Sequence, residues 1–217
     1  RLRYFRKFYF TDCASFTKRL KRMNYCIISQ QPKTRSFNAF KFKSIMNALE
    51  SIQKIKNLSP NSIDELLNIF PWQLFNMDYT LSSDDEADTI ISQNVTIGAG
   101  AEVDKLIVAE TVKIEAGAEI HGTIICRKVV FSENSECNYL IAEELIAGKD
   151  SEIRFGVIQN SLVLEEGVEI DEIEACHSIK VDMSNQATIK KIIKLEQENW
   201  DKIIPERIQV ILSTILN

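Results

Sequence analysis

Histidine is nearly missing from this chain, which has only His121 and His177. Three imidazoles converging on zinc, the ligand set of β-helix carbonic anhydrases, cannot be assembled from two that fall in different repeat positions. Cysteine is sparse and odd in number: Cys13, Cys26, Cys126, Cys137 and Cys176, with no CxxC pair. Neither a disulfide framework nor a zinc knuckle is indicated, so inert core thiols and a reducing compartment are the expectation. No apolar run approaches the roughly 18–20 residues that span a bilayer, so no transmembrane helix is expected. No GxSxG, HExxH, GxxxxGK[ST] or GxGxxG occurs, and Gly98-Ala99-Gly100 reads as a turn rather than a phosphate cradle. No catalytic, cofactor-binding or metal residue is therefore nominated, and no cofactor is expected.

Acid is what the first 43 residues lack. They hold twelve Lys or Arg and one acid, Asp12, for a charge of +11; the other 174 residues carry 14 basic and 30 acidic side chains, for −16. Ten of the 18 aromatic residues also lie in this arm, where Arg1, Arg3, Arg6 and Lys7 interleave with Tyr4, Phe5, Phe8, Tyr9 and Phe10. Such a segment has the make-up of an organelle transit peptide, and the expected location is mitochondrial, with cytoplasmic as the alternative. The chain begins at Arg rather than Met, and trimming ahead of it is expected. Two other readings stay open: a retained arm lying on RNA phosphates with aromatics for stacking, and a positive tail resting on the acidic body or on acidic protein.

What the sequence has in quantity is a repeat. Between residues 94 and 190, six stretches superpose at a spacing of 16 or 17. One column reads Val95, Val112, Val129, Leu145, Leu162, Ile179, and a second, two residues on, reads Ile97, Ile114, Phe131, Ala147, Leu164, Val181. A third holds turn formers, Gly100, Gly117, Asn134, Asp150, Gly167 and Ser184, tolerant of a left-handed backbone. A fourth reads Val103, Ile120, Cys137, Ile153, Ile170, Ala187; a weaker fifth reads Ile107, Ile124, Ile141 or Leu140, Val157, Ile173. Short apolar-polar-apolar steps separated by a turn at fixed period mean strands stacked as coils, each burying its edge on its neighbours. Six coils at a strand spacing of 4.7–4.9 Å make a rod of about 30 Å. Six-residue left-handed repeats are disfavoured, because Ile97-Gly98 fits one such step alone and 17 does not divide into sixes.

The flanks read as helical. Over 44–57, Ile45, Met46, Leu49, Ile52 and Ile55 mark one face of an amphipathic helix. Leu58-Ser59-Pro60 breaks it, and Asn61 or Ser62 caps a second helix running to about Ile69. Phe70 to Phe75 is an apolar plug expected to cover the first open coil. The assigned organisation is 1–43 arm, 44–78 helical connector and cap, 79–93 acidic linker and first strand, 94–188 β-helix, 189–217 C-terminal helices. Ser82-Ser83-Asp84-Asp85-Glu86 is the hinge of that linker. Ile189, Ile192, Ile193, Leu195 and Trp200 suit a helical face, Pro205 opens a further helix, and the pair is expected to close the last coil.

The coils Val112 to Ile124 and Leu162 to Ile170 resemble the rungs of bactofilins, polymer-forming cytoskeletal proteins, over residues 90–190. The resemblance implies a non-enzymatic right-handed parallel β-helix of about six coils that associates end to end. The second glycine of the rung stands at Gly122 and Gly156 but in no other coil, and the helical flanks depart from the family's short tails. The expected fold is thus mainly β, a right-handed parallel β-helix of six coils flanked by helical segments. The leading expectation for function is a non-catalytic scaffold subunit, a rigid adaptor in a large mitochondrial assembly. Its partners would be other subunits, reached through β-helix faces and terminal helices. The alternatives are an RNA-associated subunit of an organellar ribonucleoprotein such as the mitochondrial ribosome, and a bactofilin-like filament protein.

Overall fold

The computed structural model describes residues 63–69, 78–196, 198–200, 202, 205 and 206. Its elements are α1 (Ile63–Ile69), β1 (Asp78–Leu81), β2 (Glu86–Ile91), β3 (Asn94–Ile97), β4 (Glu102–Val108), β5 (Thr111–Ile114) and β6 (Glu119–Phe131). β7 (Glu136–Ala147), β8 (Glu152–Leu164), β9 (Glu169–Cys176), β10 (Lys180–Met183) and β11 (Thr188–Leu195) follow. Every strand pairing is parallel, and the strands wind into a β-solenoid of about seven turns.

The columns are real ladders. Val95, Val112, Val129, Leu145 and Leu162 are successive partners, as are Ile97, Ile114, Phe131, Ala147 and Leu164. All ten are buried in one continuous core with Val103, Ile120, Cys137, Ile153 and Ile170. A coil alone leaves half of these side chains wet; stacking at about 4.8 Å covers them and pairs the backbone at once. Gly100, Gly117, Asn134, Asp150 and Gly167 all take positive φ, between 55° and 74°. Asn and Asp pass there because their short polar side chains suit a left-handed turn. The residue after each turn is Ala101, Ala118, Ser135, Ser151 or Val168, all buried. The two serine hydroxyls donate to the Ser132 carbonyl at 2.7 and 2.8 Å, so neither is a buried orphan.

Three expectations are corrected. The run Ser82 to Glu86 is the turn of an extra coil rather than a hinge. Asp84 has φ 59°, like the turn residues above it, and β1 and β2 lie in register on β3 and β4. Acids read as a linker here only because this coil lacks glycine. Residues 188–195 form strand β11 on β9, not a helix. Their apolar residues fit both periods over so short a stretch, and the available edge of β9 decides for the strand. The last coil is also offset by two: Val181 pairs with Leu162, Met183 with Leu164 and Ile189 with Ile170, where the 17-residue period put Ile179, Val181 and Ala187. The corner at Cys176, His177 and Ser178 lengthens the step to 19, closed by Ile179 N–H donating to Cys176 C=O at 3.0 Å. A shift of two preserves in-out alternation, so hydrophobicity does not betray it.

The expected second helix is α1. The expected helix over 44–57 and the plug at 70–75 lie outside the described residues, as does most of the C-terminal helix pair. Of that pair, Glu198, Asn199 and Trp200 are helical, and Trp200 is buried.

Candidate interaction surfaces

Five of the coils carry an apolar doublet: Ile90-Ile91, Ile107-Val108, Ile124-Ile125, Leu140-Ile141 and Val157-Ile158. In a strand, neighbours point to opposite sides, so one of each pair faces out. Ile90, Ile107, Ile124, Leu140 and Ile158 belong to the core. Ile91, Val108, Ile125, Ile141 and Val157 form a stripe outside it, and yet they are only 0–5% exposed. Leu140, not Ile141, continues the fifth column; Gly156 follows it where Val157 was expected.

Helix α1 lies on this outer face, touching β6 and β7. Its apolar residues Ile63 and Leu67, four apart and so on one face, are fully buried. Arg127 fixes the helix from the strand side. Its guanidinium meets Asp64 at 2.7 Å and donates to the Asn68 side-chain oxygen at 2.8 Å. Nearby Glu143 is held above the ordinary carboxylate range by partial burial; Arg127 pulls it down, and Asp64 and Glu144 push it up. The sheet thus presents a helix-docking surface, apolar along its middle and polar at one border. Sequence reasoning missed it, though the doublets at 17-residue spacing were its signal.

A second surface is acidic. Glu86, Glu102, Glu119, Glu136, Glu152 and Glu169 are direct partners in consecutive coils, a column of six identical charges. Two side chains meet it. His121 Nε2 lies 3.6 Å from both Glu102 and Glu119, and Lys190 Nζ is 3.7 Å from Glu169 and 2.7 Å from Asp171. This column too was present in the sequence at the repeat spacing and was passed over.

A third is an open groove of about 510 Å³ lined by half-buried Val130 and Ile146 together with Lys113, Lys149, Glu115 and Glu165. Its mixed charges and wide mouth offer no converging chemistry.

His121 and His177 lie apart in the fold: His121 on the face of β6, His177 at the long corner, where its backbone N–H donates to Leu195 C=O at 2.9 Å. Among the described residues, no group of three His, Cys, Asp or Glu side chains is placed to hold a metal ion. Cys126 and Cys137 are buried in the core. Burial raises Cys126 well above the ordinary thiol range, with Cys137 and Glu143 adding to it. Cys137 is pushed up to about 12 by burial, against a lowering from a hydrogen bond with the Tyr139 backbone. Ala175 rather than Cys176 shares the column of Cys126, and Cys176 itself lies outside the core cluster, its Sγ 3.4 Å from Ser178 Oγ. Among the described residues no helix is long and apolar enough to cross a membrane. In comparisons with family models, curated proteins and solved structures, nothing matches this chain.

Proposed function

We propose that this chain is a non-catalytic structural subunit, a rigid adaptor whose β-solenoid holds other proteins of a multisubunit assembly at fixed separations. The observation that supports this most is the all-parallel rod of about seven turns, which sets the glutamate column from Glu86 to Glu169 at fixed spacing along its length. The members of the outer stripe from Ile91 to Val157 are only 0–5% exposed within the chain, so the stripe adds a second buried layer that stiffens the rod, and partners would meet the exposed faces instead. The rod itself is stiff, because each coil is hydrogen-bonded to both neighbours along its length. Mitochondrial residence is part of the proposal and rests on the basic, acid-poor arm of residues 1–43. Two readings compete: RNA attachment through that arm, and bactofilin-like filaments.

The test is native purification of the tagged full chain from mitochondria, followed by sizing with and without ribonuclease. An adaptor elutes with a fixed set of proteins in constant ratio, insensitive to ribonuclease. Loss of the partners on ribonuclease treatment favours the RNA reading, and filaments in negative stain favour the cytoskeletal one. A chain that elutes alone refutes the adaptor.

A further inference from the structure

The two ends of the solenoid differ. In the first coil, the inward residues Leu81, Ala87 and Ile90 are only 1–7% exposed, as deep as those of the middle coils. In the last coil, Val181, Met183 and Ile192 continue inward columns whose other members are fully buried, but they are themselves 40–43% exposed. All four residues of β10 are exposed. Among the described residues, β10 pairs only with β8 and β11 only with β9, so each has a second edge free of strand partners. Such an edge is a template for one more strand.

Charge says which strand. Residues 78–179 hold 22 acidic and six basic side chains; residues 180–195 hold four lysines, Lys180, Lys190, Lys191 and Lys194, against one acid, Asp182. The pairing rule between coils is already visible one step down, where Lys190 meets Asp171 at 2.7 Å and Lys191 meets Glu172 at 2.9 Å. Acid below, lysine above: the next strand in the stack is again best acidic. A second copy fits poorly. Its first coil is not open in the same way, and two last coils face to face would bring lysines together.

We propose that the final coil is a β-augmentation site for a partner protein that contributes an extended segment of alternating apolar and acidic residues, the apolar ones covering Val181, Met183 and Ile192 and the acidic ones meeting Lys180 and Lys194. The backbone edge supplies affinity, and the apolar columns and lysines set register and choice. This names the partner chemistry for the adaptor reading and rests on it.

The test uses the full chain and two fluorescent peptides, one alternating Glu and Val, the other Lys and Val, followed by anisotropy. The acidic peptide should saturate, weaken with salt, and bind at least about tenfold more tightly than the basic one. The double change Val181→Asp with Met183→Asp should abolish binding, while circular dichroism and melting stay as in the parent because both sites are exposed. Lys180→Glu with Lys194→Glu, which leaves the apolar columns untouched, should reverse the preference toward the basic peptide. Absence of saturable binding overturns the proposal, as does binding that both variants leave unchanged. Self-association of the parent chain that Met183→Asp abolishes also overturns it, by assigning the edge to a second copy. If the tagged Val181→Asp, Met183→Asp chain keeps its full partner set in cells, the edge inference fails while the adaptor stands; if the parent has no partners, the adaptor itself fails.

Discussion

Glu119 and Glu136 are direct partners across β6 and β7, two rungs of a six-glutamate column that runs nearly the length of the rod. Like charges set opposite each other on neighbouring strands are destabilising, and the register repeats this from Glu86 to Glu169, ending at Thr188 in the last coil. Glu136 has carboxylates both above and below it. Replacing it by Gln keeps the shape and removes the repulsion. Glu136→Gln should therefore raise the melting temperature by about 1–2 °C at low salt. In roughly 1 M salt, where the screening length is near 3 Å, the gain should shrink. Scanning calorimetry at the two salt concentrations checks this; a lower melting temperature in the variant would mean that the column is bridged by partners worth more than its repulsion.

Glu143 gives a pH dependence with a definite sign. Its carboxyl is raised above the ordinary value of 4.5, chiefly by partial burial. The folded state therefore holds the proton more firmly than the unfolded one. The stabilising contribution is complete below the unfolded pKa and is lost as pH rises through the higher folded value. Glu143→Gln should be more stable than the parent at pH 7 and should lose less stability between pH 4.5 and neutrality. Denaturant midpoints across that range measure it, and an unchanged pH slope would show that the Arg127 interaction cancels the burial cost.

The buried thiols should be silent. With Cys126 and Cys137 both raised by burial, Cys137 to about 12, almost no thiolate exists at neutral pH, and both are walled off in the core. In a chain with Cys13, Cys26 and Cys176 changed to Ser, a thiol reagent should modify neither residue in the native state at pH 7.5 and both after unfolding in guanidinium. Mass spectrometry reads the outcome, and rapid native modification would place one of them at the surface.

Ile114 and Met183 occupy the same inward column, one in its middle and one at its open end. Ile114→Asp should unfold the solenoid, because an unpaired buried charge costs several kcal/mol against a total stability of about 5–15 kcal/mol. Met183→Asp should fold normally, its side chain being already half in water. Far-ultraviolet circular dichroism of the two variants separates them. Equal damage at both sites would contradict the two-residue offset of the last coil.

The coil architecture was legible because its cause is local and repeated. Val112, Val129 and Leu145 recur at the spacing a coil needs, and a left-handed turn residue recurs beside them, at Gly117, Asn134 and Asp150. Less legible were the ends. The first coil passed for a linker because Asp84 does in its turn what glycine does elsewhere. At the other end, the two residues added near His177 moved the register without disturbing alternation.

The amino-acid order alone thus determined the period, the inward columns and the acidic body with its basic arm, all of which follow from side-chain chemistry at fixed intervals. Only the tertiary structure decided which doublet member faces outward, that α1 is clamped over β6 and β7 by Arg127, and that residues 188–195 extend the sheet instead of coiling. It also decided that the inward side chains Leu81, Ala87 and Ile90 of the first coil are buried while Val181, Met183 and Ile192 of the last are 40–43% exposed. Those outcomes depend on contacts between residues far apart in the chain, such as Arg127 with Asp64 and Ile189 with Ile170, and a pattern with period 17 carries no information about what lies across the rod.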